Sequence, residues 1–323
     1  MAIVRPFEKK NLDLLSATFL DWEDFPPCAR GNQDHSVDLF LSFSQTLCFI
    51  PAQKSIDHIV KIISQGKNSW ASCISNVWAI ESNIDPKYDL YLPSESRMNT
   101  LWVNGPNQHF LINLDLISSG QYGNFDAVFI MEGDVAPVKK FWLDSLMDEI
   151  NESEFAILGS KYDGDSWDEF RSSLPLSLQH HINGNAIYNI THPLLKLVIE
   201  QLKLEADTPY RAVPYDYRIS QILVEGMLGV LPELPHDILE RWRAETGNEL
   251  PCNSEKFRRW WDHHGNTVGN AAKAIRESRV IANYASTNLL PRHLLEEEAS
   301  LIHGARQLLP WDKNKYNITL VIS

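Results

Sequence analysis

Two carboxylates separated by one glycine, Glu132-Gly133-Asp134, follow an apolar run that begins at Phe125. A run of this length that ends in turn residues is typical of a buried β-strand. Open α/β sheets bind ligands just beyond the carboxyl ends of their strands. Alternate residues of a strand point the same way, so both carboxylates can face one ion. Because Mg²⁺ and Mn²⁺ take oxygen ligands and often bridge a carboxylate to a diphosphate, the segment predicts a metal site for a diphosphate-bearing substrate.

Alternating strands and helices must position this acidic pair. Apolar runs predict strands at 2–5, 37–43, 73–80, 125–131, 155–158, 186–190, 280–284 and 300–302. Helical spacing predicts helices at 10–22, 55–63, 107–117, 142–150, from 193 onward, at 216–224 and over most of 231–279. A last strand is predicted at 317–323. The pattern indicates an α/β protein.

The composition excludes several classes of partner. The chain has 323 residues, a net charge of −13 and a pI near 5.3, which argues against a nucleic-acid surface and against binding to anionic lipid. The first ten residues lack the apolar core of a secretory signal, and no apolar run is long enough to span a bilayer. None of the four cysteines lies in a C-x-x-C pair, so zinc and redox motifs are unsupported. We therefore expect reduced cysteines and a cytoplasmic location.

Three further segments carry polar side chains where elements begin. Asn104-Gly105-Pro106-Asn107 is a turn followed by a helix start, which a turn alone would explain. The segment from His181 to Tyr188 contains Asn183-Gly184-Asn185 before an apolar strand, and Asn and His suit sugar hydroxyls because they donate and accept hydrogen bonds. Asp216 stands at a predicted helix start, where it is either an N-cap or a carboxylate that faces a substrate.

At its acidic segment the chain resembles the glycosyltransferases of GT-A fold. Their D-x-D motif follows a buried strand and binds a divalent ion together with the diphosphate of a nucleotide-sugar donor; Glu132 stands where the motif usually begins with Asp. The resemblance implies a GT-A-like, Rossmann-type sheet, mixed and mostly parallel, flanked by helices. It also implies a hexosyl- or deoxyhexosyltransferase that uses Mn²⁺ or Mg²⁺, a UDP-sugar donor and a carbohydrate acceptor. The catalytic domain would span 1–312. Residues 313–323 would form a strand that either pairs with the sheet or begins a further domain, and we favour the second because proteins rarely end on an uncovered apolar strand.

The resemblance also implies roles for the other polar segments. The end of the first strand would cradle base and ribose, and the loop at 104–107 would hold nucleoside and sugar. The segment at 181–185 would contact donor and acceptor. The implied donor-binding residues are Arg5, Pro6, Phe7, Asn104, Asn107, His181, Asn183 and Gly184, and the implied catalytic residues are Asn185 and Asp216.

A segment near the C-terminus, His303-Gly304 followed by Arg306 and then Pro310-Trp311, resembles the H-x-G-x-x-K-P-W segment of glycogenin-like members. The resemblance implies that His303 completes the metal site of Glu132 and Asp134 and that Arg306, in place of the usual Lys, holds the diphosphate. Both residue types suit these tasks, since imidazole ligates Mn²⁺ and a guanidinium fork matches phosphate.

Several alternatives stay open. Asp163-Gly164-Asp165 is a second D-x-D pattern, without a pronounced strand before it. A nucleotidyltransferase would carry a glycine-rich basic loop after the first strand, but Val4 to Lys10 has no glycine. A carbohydrate-binding module without catalysis would bind no nucleotide. The stereochemistry is also open: a carboxylate takes the proton of the acceptor hydroxyl in an inverting enzyme, whereas a retaining enzyme stabilises an oxocarbenium-like state.

Overall fold

The structure is a computed structural model. It describes residues 1–29, 36–65, 70–91, 103–161, 181–205, 213–225, 244, 275–283 and 299–303. The second acidic pattern at 163–165, Arg306 and the predicted strand at 317–323 lie outside these residues, as does most of the helical region predicted at 231–279.

A seven-stranded sheet forms the centre of the fold. Its strands are β1 (Ala2–Phe7), β2 (Asp38–Phe43), β3 (Asn76–Glu81), β4 (Ala127–Ile130), β6 (Ile157–Lys161), β7 (Ile182–Asn189) and β8 (Ile275–Glu277), in the order β3-β2-β1-β4-β7-β6-β8. Only β7 runs antiparallel to its neighbours in this sheet. The predicted α/β class with a mixed, mostly parallel sheet is confirmed.

Helices cover both faces of the sheet. They are α1 (Leu12–Asp24), α2 (Ile50–Ser64), α3 (Asn104–Ser118), α4 (Trp142–Glu152), α5 (Pro193–Glu205) and α6 (Tyr215–Glu225). Strand residues alternate between two buried clusters: Val4 and Ile130 pack with α3, α5 and α6, whereas Ile3 and Phe129 pack with α1, α2 and α4. No helix among the described residues has the length and apolar character that crossing a membrane requires.

A small second sheet brings the C-terminal region to the acidic pair. It consists of β5 (Ala136–Pro137), β9 (Ile281–Asn283) and β10 (Leu301–His303), in the order β5-β10-β9. In the antiparallel pairing, Leu301 lies opposite Pro137 and Ile302 opposite Ala136. The next residue along this register, His303, therefore lies beside the turn that carries Asp134.

Three predicted elements differ from the structure by more than three residues at a boundary, or in type. Helix α2 begins at Ile50 rather than at 55, and β7 begins at Ile182 rather than at 186, so the polar segment at 183–185 belongs to a strand and not to a loop. Ile275–Glu277, predicted as helix, is strand β8 because it pairs with β6. Local spacing cannot reveal this pairing, since a strand partner far away in the sequence decides it.

Cys28 and Cys73 form a disulfide, with an S–S distance of 2.10 Å and a Cα–Cα distance of 5.7 Å. The expectation of reduced cysteines is therefore wrong for this pair. The two residues are 45 positions apart, and sequence spacing alone does not give such a connectivity. They meet beside the buried aromatic cluster of Trp22, Trp70 and Trp142, on the face of the sheet that α1 and α4 cover.

Candidate functional site

Two carboxylates and one imidazole converge at the carboxyl end of β4. Ligand atoms of Glu132, Asp134 and His303 all lie within 4.8 Å of one another. His303 Nε2 is 3.2 Å from Asp134 Oδ2 and 3.8 Å from Glu132 Oε2. The other carboxylate oxygen, Asp134 Oδ1, is buried and has no hydrogen-bond partner among the residues that the structure describes. This donor set fits Mn²⁺ or Mg²⁺, and an ion would satisfy the orphaned oxygen.

The charges of these three groups depend on one another. Burial opposes ionisation of Asp134, but the facing His303 lowers the pKa of this carboxyl below its usual value. Burial alone would lower the pKa of His303, and the carboxylates of Asp134 and Glu132 outweigh that effect and raise it to about 8. Burial, followed by the charge on Asp134, raises the pKa of Glu132 to about 7. Near neutral pH, protons on His303 and Glu132 therefore occupy the ligand atoms that a metal ion would bind.

Binding of Mn²⁺ is expected to release protons and to strengthen as the pH rises. His303 holds a proton below about pH 8 and Glu132 below about pH 7, and a metal ion must displace both. Calorimetry with Mn²⁺ alone at about pH 6.5, 7.5 and 8.5, in two buffers of different ionisation enthalpy, measures the affinity and the number of protons released. An affinity that stays constant over this range would contradict the assignment of these ligands.

Asn185 holds Glu132 from behind. The backbone N–H of Glu132 donates to Asn185 Oδ1 at 2.7 Å, and Asn185 Nδ2 donates to Glu132 Oε2 at 3.2 Å. Asn185 Nδ2 also lies 3.3 Å from Asn183 Oδ1. Asn185 is fully buried, so the structure gives this predicted catalytic side chain a supporting position. Such supporting hydrogen bonds orient metal ligands and tune their basicity.

Asp216 is fixed by backbone donors at the start of α6. Its Oδ2 accepts the N–H of Gly184 at 3.1 Å, and its Oδ1 accepts the N–H of Tyr217 at 2.8 Å. A Cβ at Gly184 would lie 2.3 Å from the hydroxyl oxygen of Tyr215 and 3.3 Å from Glu132 Oε1. A side chain at this position would force Tyr215 to shift, so glycine suits the close approach of β7, α6 and the acidic pair. The carboxylate of Asp216 lines the cleft that is described next.

A cleft of about 470 Å³ lies over these groups. Its volume is in the range of about 300–1,000 Å³ that small-molecule sites occupy. Nine of the predicted site residues line it: Pro6, Phe7, Asn107, Glu132, Gly133, Asp134, Asn183, Asp216 and His303. Asn107 also joins two elements of the wall, because its side chain donates to Val213 O and accepts the N–H of Tyr215, both at 2.8 Å.

The other predicted site residues that the structure describes do not line the cleft. Arg5 is 1% exposed, and its Nη1 donates to the carbonyl oxygens of Met131 and Glu132, both at 2.7 Å. This guanidinium therefore anchors the end of β4. Residues Asn104, His181, Gly184 and Asn185 are likewise absent from the lining that the described residues form. His181 is buried, with its ring edge-on to Tyr217.

Seven polar lining residues were not among the sequence predictions: Glu8, Lys10, Asn11, Tyr91, His109, Asn113 and Tyr215. For two groups of these residues, the sequence contained a feature that could have predicted them. Glu8, Lys10 and Asn11 directly follow β1, at the strand end where ligands of such sheets bind. His109 and Asn113 stand four residues apart, which puts two polar side chains on one face of a predicted helix.

No protein-family model matches the chain, and no curated protein matches it. Among solved structures, the galactosyltransferase LgtC in complex with donor and acceptor sugar analogs has 10% identity and a TM-score of 0.41, and the match covers 99% of this chain and 95% of that one. Mouse xyloside xylosyltransferase 1, in its apo form, has 9% identity and a TM-score of 0.43, with 94% and 98% covered. The glycosyltransferase GlyE of Streptococcus pneumoniae has 10% identity and a TM-score of 0.41, with 97% and 56% covered. At these identities and TM-scores the likeness concerns the fold alone, and the substrates of those enzymes do not carry over to this chain.

Proposed function

We propose that the protein is a metal-dependent glycosyltransferase that moves a sugar from a nucleotide-diphosphate donor, a UDP-sugar, to a carbohydrate hydroxyl. The observation that carries the proposal is the cluster of Glu132, Asp134 and His303 beside a ligand-sized cleft at the carboxyl ends of β1 and β4. Ligands of open α/β sheets bind at this edge. The transferred group would be a hexose or a deoxyhexose, as the resemblance implies.

The charges of the cleft support a divalent ion between protein and substrate. Carboxylates of Glu8, Glu132, Asp134 and Asp216 line it, against the cationic groups of Lys10 and His303. A diphosphate would be repelled by this surface without a bridging cation. Mn²⁺ or Mg²⁺ held by the two carboxylates and the imidazole would supply Lewis-acid stabilisation of the leaving nucleotide diphosphate. Arg306 lies outside the described residues, and its contact with the diphosphate stays part of the proposal.

The sugar side of the proposal rests on Asp216 and Asn183. The two backbone N–H groups that bind the Asp216 carboxylate fix it at the wall of the cleft. There it would either take the proton of the acceptor hydroxyl or stabilise an oxocarbenium-like state, according to the stereochemistry. Asn183 lines the same cleft and offers an amide to sugar hydroxyls. The remaining task of the chain is to align the acceptor hydroxyl with the anomeric carbon.

A screen of donor hydrolysis tests the function. The protein is incubated with a panel of UDP-sugars with and without Mn²⁺, and release of UDP is measured. We expect release from at least one UDP-sugar only when the metal is present. Calorimetry with UDP plus Mn²⁺ separates the alternatives, because a carbohydrate-binding module would bind no nucleotide. Binding of the nucleotide without metal-dependent release from any sugar, with and without candidate acceptors, would overturn the proposal.

The redox state of one cysteine pair, Cys28 and Cys73, bears on the cellular location of the protein. The sequence predicts a cytoplasmic protein, but disulfides persist mainly in oxidising compartments, so the bond between Cys28 and Cys73 counts against the cytoplasm. Alkylation of free thiols before lysis of the native cells, followed by mass spectrometry, measures the state of the pair. A reduced pair would support the cytoplasmic location, and an oxidised pair would support export.

A further inference from the structure

A buried chain of polar side chains forms a part of the cleft wall that the acidic cluster does not use. Ser42, near the end of β2, donates to Asn113 Oδ1 at 2.6 Å, and its hydroxyl lies 2.9 Å from His109 Nε2. His109 Nδ1 lies 3.2 Å from the hydroxyl of Tyr91. His109 and Asn113 are one turn apart on α3, so both face the same strand end. Tyr91, His109 and Asn113 all line the cleft.

One buried donor in this wall has no partner among the described residues. Asn113 is 1% exposed, and its Nδ2 makes no hydrogen bond within the described part of the chain. The hydrogen bond from Ser42 occupies Oδ1 and thereby fixes the orientation of the amide. A buried N–H group without a partner costs free energy, and each such group in a native structure calls for an explanation. A ligand oxygen at this wall would remove the cost.

The four polar side chains of this wall are themselves uncharged, and the carboxylate of Asp89 lies beside Tyr91. Burial lowers the pKa of His109 to about 3, so the imidazole is neutral at physiological pH. Its other polar members are a serine, a tyrosine and an amide, and burial raises the pKa of Tyr91. A neutral donor of this kind suits a carbonyl oxygen better than a phosphate, which takes charge-assisted contacts.

The position of the wall relates it to the acidic cluster. In the strand order β2-β1-β4, the end of β2 lies two strands from the end of β4. Two inter-strand spacings amount to about 10 Å. A nucleoside diphosphate whose phosphates sit at Glu132 and Asp134, with its ribose across the end of β1, would present its base to this wall.

We infer that Asn113 is a specificity-determining residue, whose free amide N–H donates to a ring carbonyl of the donor's nucleobase. The inference rests on the proposed use of a nucleotide donor. It predicts that the cleft prefers uracil, whose carbonyl oxygens project beyond the ring towards the donor, over adenine, whose acceptors are nitrogens within the rings. Ser42 and His109 are positioning residues that hold the amide in place.

Calorimetry of UDP and ADP in the presence of Mn²⁺ tests the inference in the whole protein. The wild-type chain is expected to bind UDP at least about tenfold more tightly than ADP, as one well-placed hydrogen bond allows. In Asn113→Leu, which keeps a similar shape without the donor, the UDP affinity should fall about 10- to 100-fold while ADP changes little. The affinity for Mn²⁺ alone should stay the same, because the metal ligands are untouched.

The controls separate the possible failures. Ser42→Ala removes the anchor of the amide but leaves its donor, so it should weaken UDP binding less than Asn113→Leu. It also replaces the leucine variant if that chain does not fold, as judged by circular dichroism. Equal wild-type affinities for UDP and ADP, or an unchanged UDP affinity in Asn113→Leu, would overturn the inference and leave the proposed transferase intact. If the wild type bound neither nucleotide with Mn²⁺, the inference about Asn113 and the proposed transferase function would both be overturned.

Discussion

Replacing Asp134 with alanine is expected to reduce metal-dependent turnover of the donor about a thousandfold, since a bound ion contributes several kcal/mol of charge stabilisation and each 1.36 kcal/mol is tenfold in rate. Of the three proposed metal ligands, Asp134 has the strongest structural support. Its Oδ2 lies 3.2 Å from His303 Nε2, and its Oδ1 is buried without a partner in the described ranges of the chain. Glu132, by contrast, has Asn185 as a hydrogen-bond donor. Loss of Asp134 therefore removes an oxygen that nothing else in the described protein uses.

The measurement is the initial rate of UDP release with and without Mn²⁺, together with the Mn²⁺ affinity of each variant. A matched control is Asp126→Ala, because Asp126 is exposed and precedes the opposite end of the same strand. That variant should keep wild-type turnover. If Asp134→Ala kept its full metal-dependent turnover, the acidic pair would not be the metal site, whatever the behaviour of the control.

Local sequence patterns predicted the central elements because these elements have local causes. The apolar run before Glu132 became β4, and the apolar spacing before Ile117 became most of α3. The convergence of Glu132, Asp134 and His303 was expected from a family resemblance and not from periodicity. The structure supplies its physical basis, which is the antiparallel pairing of β10 with β5. Binding of a metal there remains a prediction.

The roles of individual polar side chains could not be predicted in the same way. Asn185 was expected to act on substrate, but it is buried and clamps Glu132 through two hydrogen bonds. Which atom a polar side chain reaches depends on the strand beside it, and the order of strands in a sheet is set by long-range packing. The Cys28–Cys73 disulfide could not be predicted for the same reason. The residues around each cysteine do not reveal which other cysteine it pairs with. Long-range neighbours thus decide which predicted polar residues face the cleft.

Arg5 is a long-range neighbour that connects the fold to the site. We expect Arg5→Met to lower the free energy of unfolding by about 3 to 5 kcal/mol, because each hydrogen bond of a charged donor contributes about 1.5–3 kcal/mol. The guanidinium is buried between β1 and the end of β4, where it donates to the carbonyl oxygens of Met131 and Glu132 and to Thr18 Oγ1. Methionine fills a similar volume but removes all three donated hydrogen bonds, and the carbonyl oxygen of Glu132 keeps the N–H of Val135 as a donor. Urea unfolding at equilibrium measures the loss.

The same substitution should also weaken Mn²⁺ binding, because Arg5 holds the backbone of Glu132 and its charge helps to lower the pKa of Asp134. Arg5→Lys is the matched control: it keeps the charge but cannot reach all three oxygens with one fork, so its stability should fall between wild type and Arg5→Met. The sequence predicted instead that Arg5 contacts the nucleotide. That role would leave stability unchanged and reduce only the affinity for UDP, whereas an anchor of the acidic strand end must lower stability and metal affinity together. The pair of measurements therefore decides whether this buried arginine serves the ligand directly or through the backbone that carries Glu132 and Asp134.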